Sequence, residues 1–143
     1  MPARPDDIVE YDELWTYVGS KQQRVWLWIA LCRRTTQVVA YHLGDRTHDA
    51  FNTFYHSVPP AYAGCRSHSD GFTTYKQISK YYHTCKKKKS GRTARVEGFN
   101  NKLRQRLSRL TRKTCSFSKN LTMHEIVIRL FLQEHNEAIK SVK

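Results

Sequence analysis

Three segments in the first third of the chain have the hydrophobic pattern of β-strands. Ile8 to Val18 is rich in β-branched and aromatic residues and ends at a Gly-Ser turn signal. Arg24 to Arg33 is almost wholly apolar in its middle, as expected for a strand covered on both faces. Gln37 to Leu43 follows after only three residues. Because such short connections join antiparallel neighbours, the three segments predict a meander.

Helical periodicity replaces this pattern further along the chain. Thr47 is expected to cap a helix that ends at Pro59-Pro60. Segment 61–69 is ambiguous, since its position favours a strand but its polar residues make a poor one. Segment 73–82 has the pattern of a short helix, and segment 86–92, with four consecutive lysines, that of a solvated loop.

The strongest helical signal comes near the C-terminal end. Apolar residues recur there at spacings of 3, 4, 4 and 3, at Val96, Phe99, Leu103, Leu107 and Leu110. A last helix, over about 122–137, is expected to begin with a Thr122–Glu125 capping box that Leu121 and Ile126 flank. Its expected inward residues are Ile126, Val127, Leu130 and Phe131.

These elements predict one α/β domain over residues 1–143, with a core over about 8–112 and a C-terminal helical extension. Three antiparallel strands followed by helices and a further strand predict a mixed sheet flanked by helices. A ribonuclease-H-like fold has this order of elements, but so do other α/β folds. The three tryptophans, Trp15, Trp26 and Trp28, are expected in the core rather than as stacking platforms.

The charge of the chain points to a polyanionic partner. Its 25 Lys and Arg against 12 Asp and Glu give a net charge of +13, and such a basic domain is typical of nucleic-acid binding. No apolar run of membrane-spanning length and no signal-peptide core occurs, so a cytoplasmic, nucleoid-associated protein is expected. The four cysteines form no C-x-x-C pair and are expected to be reduced thiols.

Three acidic residues stand where metal ligands for phosphodiester chemistry are expected. Asp12 interrupts the first strand, Asp70 follows the fourth, and Glu97 opens the long helix. Asn101 lies about one helical turn after Glu97, so its side chain is expected to support the same site. Each of the three has an ordinary structural explanation as well: an exposed strand residue, a turn aspartate, and a carboxylate favoured by the helix dipole. Glu10 or Glu13 can equally be the inward residue of the first strand.

Three stretches of sequence resemble the catalytic motifs of insertion sequence 1 family transposases. They are Asp12 to Gly19 (DELWTYVG), Ser69 to Phe72 (SDGF) with Tyr75, and Arg95 to Lys119, which contains RVEGFNN and SFSK. His124 follows closely. The likeness runs from about Glu10 to Asn136, nearly the whole chain.

The resemblance implies a DDE-type transposase on a ribonuclease-H-like fold. Its catalytic and metal-binding carboxylates would be Asp12, Asp70 and Glu97, holding two Mg²⁺ or Mn²⁺ ions, with His124 as a supporting residue. The 26 residues between Asp70 and Glu97 are typical of this family. The implied chemistry is hydrolysis at the transposon end, which frees a 3′-hydroxyl, followed by attack of that hydroxyl on target DNA.

The resemblance also implies partners. Double-stranded DNA, as inverted-repeat ends and as target, would contact the basic residues of the long helix, namely Lys102, Arg104, Arg106, Arg109, Arg112 and Lys113. A homo-oligomer is expected in the DNA complex. Transposases of this family look like a fusion of two parts, in which a zinc-finger and helix-turn-helix segment precedes the catalytic part. That segment would recognise the inverted repeats at the ends of the element. Only eleven residues precede Asp12, so that segment is expected on a separate upstream reading frame.

Two alternatives stay open at this stage. One is another ribonuclease-H-like nuclease, such as a junction resolvase, which would hydrolyse DNA without joining it. The other is a non-catalytic basic DNA-binding protein, a remnant or regulator of the element.

Overall fold

The structure is a computed structural model and describes residues 1–18, 20–70, 72, 74–75, 78, 83–85, 93–113 and 121–142. Its elements in chain order are β1 (Ile8–Val18), β2 (Ser20–Cys32), β3 (Val38–Gly44), α1 (His48–Ser57), α2 (Pro60–Ala63), β4 (Arg66–Ser69), β5 (His83–Cys85), α3 (Ala94–Lys113) and α4 (Leu121–Val142). The helix expected over 73–82 lies largely outside the described residues, and the lysine-rich loop 86–92 wholly so.

The described strands form one sheet in the order β3-β2-β1-β4-β5. β1, β2 and β3 pair antiparallel, which confirms the predicted meander, and β4 and β5 continue the sheet in parallel from β1. This mixed sheet, with helices on its faces and a C-terminal helix, is consistent with a ribonuclease-H-like fold and confirms the predicted class. The ambiguous segment 61–69 divides into the end of α2 and the whole of β4.

The sheet separates two cores, because alternate side chains of a strand point to opposite faces. One core is aromatic and contains Tyr11, Trp28, Phe51, Phe54 and Tyr75, so that α1 packs on this face. The other is mainly aliphatic and joins the sheet to α3 and α4 through Leu14, Leu27, Ile29, Val96, Leu103, Ile128 and Leu132. β1 and β2 are therefore covered on both sides.

The first and last helices differ in how well their sequences predicted them. Thr47 caps α1 as expected, its hydroxyl accepting a hydrogen bond from the backbone of Ala50 at 3.1 Å. α4 already includes Leu121 and continues to Val142, so Thr122 lies inside its first turn. The predicted inward face was correct only in part. Phe131 packs against the aliphatic core, and Ile126 and Val127 are half-buried. The buried residues of α4 among those described are, however, His124, Ile128 and Leu132, whereas Leu130 is 52% exposed. Apolar residues lie around much of this helix, so periodicity alone misplaced the covered face.

The C-terminal half of α4 contacts the outer edge of β3. The Asn136 side chain accepts a hydrogen bond from the Val38 N–H and donates one to the Val38 carbonyl, both at 2.9 Å. His135 Nε2 lies 2.8 Å from the Thr36 carbonyl oxygen, to which it donates. The helix is thus fastened to the sheet through backbone groups as well as by its apolar side chains. None of the described helices has the length and apolar character needed to cross a membrane.

Candidate metal centre

β1 carries three acidic residues that point to the two faces of the sheet. Glu10 and Asp12 face α3, and Glu13 faces the opposite side of the sheet, as the alternation of a strand requires. All three are at least nine-tenths buried. Buried carboxylates need hydrogen-bond or ionic partners, so their contacts define what each residue does.

Glu10 fixes the beginning of α3. Its Oε1 accepts hydrogen bonds from the backbone N–H groups of Arg95 at 3.1 Å and Val96 at 3.4 Å, and its Oε2 accepts one from Arg33 Nε at 3.0 Å. The first N–H groups of a helix have no partner within the helix, and the dipole favours a negative charge there. Glu10 therefore holds the α3 N-terminus against β1.

Asp12 is joined to the same helix one turn further on. Its Oδ2 accepts a hydrogen bond from Asn100 Nδ2 at 2.8 Å. Asn100 is buried, and its Oδ1 has no hydrogen-bond partner in the described part of the chain. Asn101, the residue predicted to support the site, is exposed to solvent. The spacing of three between Glu97 and Asn100 also places Asn100 about one helical turn after Glu97, and this signal could have pointed to Asn100 beside Asn101.

Asp70 reaches this region from the neighbouring strand. The parallel register pairs Glu10 with His68, and two further residues along both strands bring Asp12 opposite Asp70. Asp70 Oδ1 also accepts a hydrogen bond from the Phe72 N–H at 2.9 Å, as a turn aspartate commonly does. The Asp70 carboxylate therefore both stabilises the turn after β4 and faces Asp12.

Glu13 was not among the predicted site residues. Burial raises the pKa of its carboxyl above the usual range, and the Asp70 charge acts in the same direction, while hydrogen bonds from Tyr75 and Arg46 lower it. The Tyr75 hydroxyl donates to Oε2 at 2.5 Å, and Arg46 donates to Oε1 at 2.8 Å. Tyr75 lies 62 residues away along the chain, so sequence reasoning had no signal for this contact.

The carboxylates of Asp12, Glu13 and Asp70 form one cluster, with one oxygen from each within 4.8 Å of the others. We call these three residues the acidic cluster. Glu97 is not part of the acidic cluster. It lies one helical turn before Asn100, and its Oε1 accepts a hydrogen bond from the Thr93 hydroxyl at 2.9 Å. The structure thus brings two of the three predicted carboxylates together and leaves the third on the adjoining turn of α3.

His124 lies outside the acidic cluster. Its Nε2 is 2.8 Å from the hydroxyl of Thr16, which donates its own proton to the Val25 carbonyl at 2.9 Å. Burial lowers the pKa of His124, which favours the neutral ring that donates to Thr16. Thr16 follows Asp12 by four residues on the same face of β1, about 13 Å along the strand. In this structure His124 fastens α4 to β1.

Of the predicted DNA-binding residues, Lys102, Arg104 and Arg106 are exposed on α3. Arg109, Arg112 and Lys113 belong to the same helix, but their side chains lie outside the described part of the structure. The described basic side chains therefore face solvent just beyond the turn that holds Asn100.

A family model described as IS1 transposase matches residues 7–137. The chain belongs to the IS1 transposase family. It is 36% identical over 130 residues to the insertion element iso-IS1n protein InsB of Shigella dysenteriae, covering 90% of this chain and 95% of that protein. It is also 36% identical over 124 residues to the insertion element IS1 protein InsB of Shigella flexneri, covering 86% and 92% of the two chains. The resemblance drawn from the three sequence motifs is thereby confirmed.

Proposed function

We propose that this IS1 family transposase cuts DNA at the ends of an insertion element and joins it to target DNA, with Asp12, Asp70 and Glu97 as its catalytic carboxylates. The observation that carries the proposal is the meeting of Asp12 and Asp70 from two parallel strands in the acidic cluster. Carboxylates that are far apart in sequence but meet at one site are what metal-dependent phosphoryl transfer requires.

The residues of the site fit a hard divalent cation. Mg²⁺ and Mn²⁺ take oxygen ligands, and the cluster offers carboxylate oxygens only. The buried Asn100 Oδ1, without a hydrogen-bond partner among the described residues, is one more oxygen of the right kind beside Asp12. Two such ions would stabilise the charge on the attacking and leaving oxygens.

The protein's own part in the reaction is to position these groups. Asn100 orients Asp12, and the backbone of Phe72 orients Asp70. Glu10 fixes the start of α3 and with it the turn that carries Glu97. Such fixed placement lowers the entropic part of the barrier and removes the need to reorganise charged groups during the reaction.

The reaction has two steps in which bonds and protons balance. In the first, water loses a proton and its oxygen bonds to the phosphorus at the element end, while the bond from phosphorus to the 3′ oxygen breaks and that oxygen takes up a proton to leave as a 3′-hydroxyl. In the second, this 3′-hydroxyl loses its proton and bonds to a phosphorus of the target strand, whose own 3′ oxygen leaves and takes up a proton. Neither step needs a covalent intermediate with the protein.

The basic side chains on α3 would hold the DNA by its phosphates. Exposed Lys102, Arg104 and Arg106 follow directly after the turn that carries Asn100, and Arg109, Arg112 and Lys113 continue the same helix. The net charge of +13 supports binding of double-stranded element ends and target. Recognition of the end sequence by an upstream-frame segment and assembly as a homo-oligomer on DNA belong to the same proposal.

The test is a joining assay on a labelled duplex that carries a pre-cut end of the element, with Mg²⁺, with Mn²⁺ and with chelator. Asp70→Asn and Glu97→Gln are compared with Glu134→Gln, an exposed carboxylate on α4. Metal-dependent joining that both site variants lose and the control keeps is the expected result. Cleavage without joining would make the chain a nuclease, and DNA binding without either reaction, also after fusion of an end-recognition segment, would refute catalysis.

A further inference from the structure

Trp15 occupies an unusual position for a tryptophan. The expectation that all three tryptophans lie in the core is correct only for Trp28, which is fully buried; Trp26 is half-buried and Trp15 is 38% exposed. The Arg24 guanidinium lies over the Trp15 ring, 5.1 Å from its centroid. The exposed part of an indole ring beside a guanidinium is suited to bind a second flat ring.

This aromatic surface is continuous with the acidic cluster. Glu13 and Trp15 point to the same face of β1, and Trp15 pairs in register with Trp26 of β2. The Arg46 side chain bonds to Glu13 and lies over the Trp26 ring, 4.7 Å from its centroid. Trp15 follows Glu13 of the acidic cluster by two residues, about 7 Å along the strand. That distance is within the reach of one or two nucleotides from a phosphate bound at the cluster.

We propose that Trp15 and Arg24 form a stacking platform for an unpaired base in the DNA strand engaged at the acidic cluster. The inference rests on the proposed function and adds a contact to the DNA flanking the cut. Base stacking on an aromatic side chain tolerates any sequence, because every base offers a π-face. In an intact duplex that face is covered by neighbouring pairs, so the occupant is a base at a frayed or cut end.

The charges favour DNA over a second copy of the chain as the occupant. The Arg24 guanidinium lies over Trp15, whereas that of Arg46, which lies over Trp26, is already paired with Glu13. Two copies that each carry a net charge of +13 repel one another, whereas a phosphate backbone is attracted. The Trp15 ring therefore suits a base, and the Arg24 guanidinium suits the phosphate next to it.

The experiment measures equilibrium binding by fluorescence anisotropy in the presence of chelator, so that no catalysis occurs. Two probes are used: a blunt duplex, and the same duplex with a three-nucleotide single-stranded extension that contains 2-aminopurine. We expect the wild type to prefer the extended probe and to quench its 2-aminopurine. Trp15→Ala should lose about tenfold in affinity for the extended probe only, and Trp15→Phe should keep most of the preference. Leu130→Ala is the matched control, since Leu130 is the other large apolar side chain exposed among the described residues.

Three results would overturn the platform. One is an unchanged preference for the extended probe in Trp15→Ala; another is equal binding when the extension is abasic. The third is a shift from dimer to monomer by light scattering in Trp15→Ala with the preference intact, which would make the surface a contact between copies. Because binding is read without metal, failure of the joining assay leaves this result interpretable, and joining activity without any effect of Trp15 refutes the platform alone.

Discussion

Asn100 donates a hydrogen bond to Asp12 across 2.8 Å and 88 residues of sequence, and it thereby couples α3 to β1 beside the acidic cluster. Asp12 Oδ2 thus has a fixed partner before any ligand binds. The geometry of the cluster then depends on a residue that carries no charge itself.

Replacing Asn100 should therefore impair the reaction more than the fold. In Asn100→Ala we expect the joining rate to fall about 10- to 100-fold, as is typical when a partner that orients a metal ligand is removed. The metal concentration for half-maximal rate should rise at the same time. Asn101→Ala, which changes an exposed neighbour, should leave both quantities unchanged, and a matching loss there would contradict the role of Asn100.

Removing the Glu10 side chain should destabilise the fold. Glu10→Ala removes the buried carboxylate that two backbone N–H groups at the start of α3 and the Arg33 guanidinium contact. We expect the free energy of unfolding to fall by about 3–5 kcal/mol, mainly because the two N–H groups are left buried without an acceptor. Urea denaturation followed by circular dichroism measures this change. Glu137→Ala removes only an exposed pair with Lys140 and should cost less than about 1 kcal/mol. Equal costs would show that the Glu10 contacts do not contribute.

The stability of the protein should rise with pH between about 4 and 6.5. Burial lowers the pKa of His83 from 6.5 to about 4, and its two ring nitrogens contact the hydroxyls of Ser67 and Ser69 at 2.6 and 2.7 Å. In this window His83 binds a proton in the unfolded state but not in the folded state. Its contribution to the free energy of unfolding is therefore fully present above pH 6.5 and is lost as the pH falls toward 4. We expect a loss of roughly 2–3 kcal/mol.

Urea denaturation from pH 4.5 to 7.5 measures this slope, and histidine NMR titration assigns it. In His83→Gln, whose side chain takes up no proton, the slope should flatten. His42, His124 and His135 also have pKa values lowered by burial and leave a residual slope of the same sign. Burial raises the pKa of Glu13, so that residue contributes a slope of the opposite sign. If His83→Gln keeps the full wild-type dependence of stability on pH, the other histidines and not His83 cause that dependence.

The exposed basic residues of α3 should set the salt dependence of DNA binding. Each of Lys102→Gln, Arg104→Gln and Arg106→Gln should weaken binding to all sequences alike and reduce the slope of log affinity against log salt by about one. Arg129→Gln, at an exposed position of α4, is the charge-matched control. If the control lowers the slope as much as the α3 variants do, net charge rather than position on α3 governs binding.

The sequence predicted an element well where its hydrophobic pattern was compatible with only one arrangement of that element in the fold. The apolar middle of β2 and the short connection to β3 allow only a buried antiparallel strand, and the structure contains it. In α4, apolar residues lie on more than one side, so periodicity could not show that Ile128 rather than Leu130 meets the sheet. Which face of a helix is covered depends on its partners, and these come from distant parts of the chain.

The candidate site was predictable only in part for the same reason. Alternation along β1 groups Glu10 with Asp12 and separates Glu13, but it does not say which face meets α3. The family motifs identified Asp12 and Asp70, whose carboxylates the structure brings together. The involvement of Glu13 depends on Tyr75 and Arg46 from two separate loops, and no local pattern encodes that meeting.

The contact of Asn136 with Val38 has a consequence for how copies of this chain avoid aggregating. The outer side of β3 would otherwise offer backbone N–H and C=O groups on which a strand of another molecule could align. A single side-chain amide occupies both groups at Val38, in the manner of a one-residue strand. α4 thus protects an edge of the sheet. Loss of its last turns would expose the N–H and C=O groups of Val38 to pairing with a strand of another molecule.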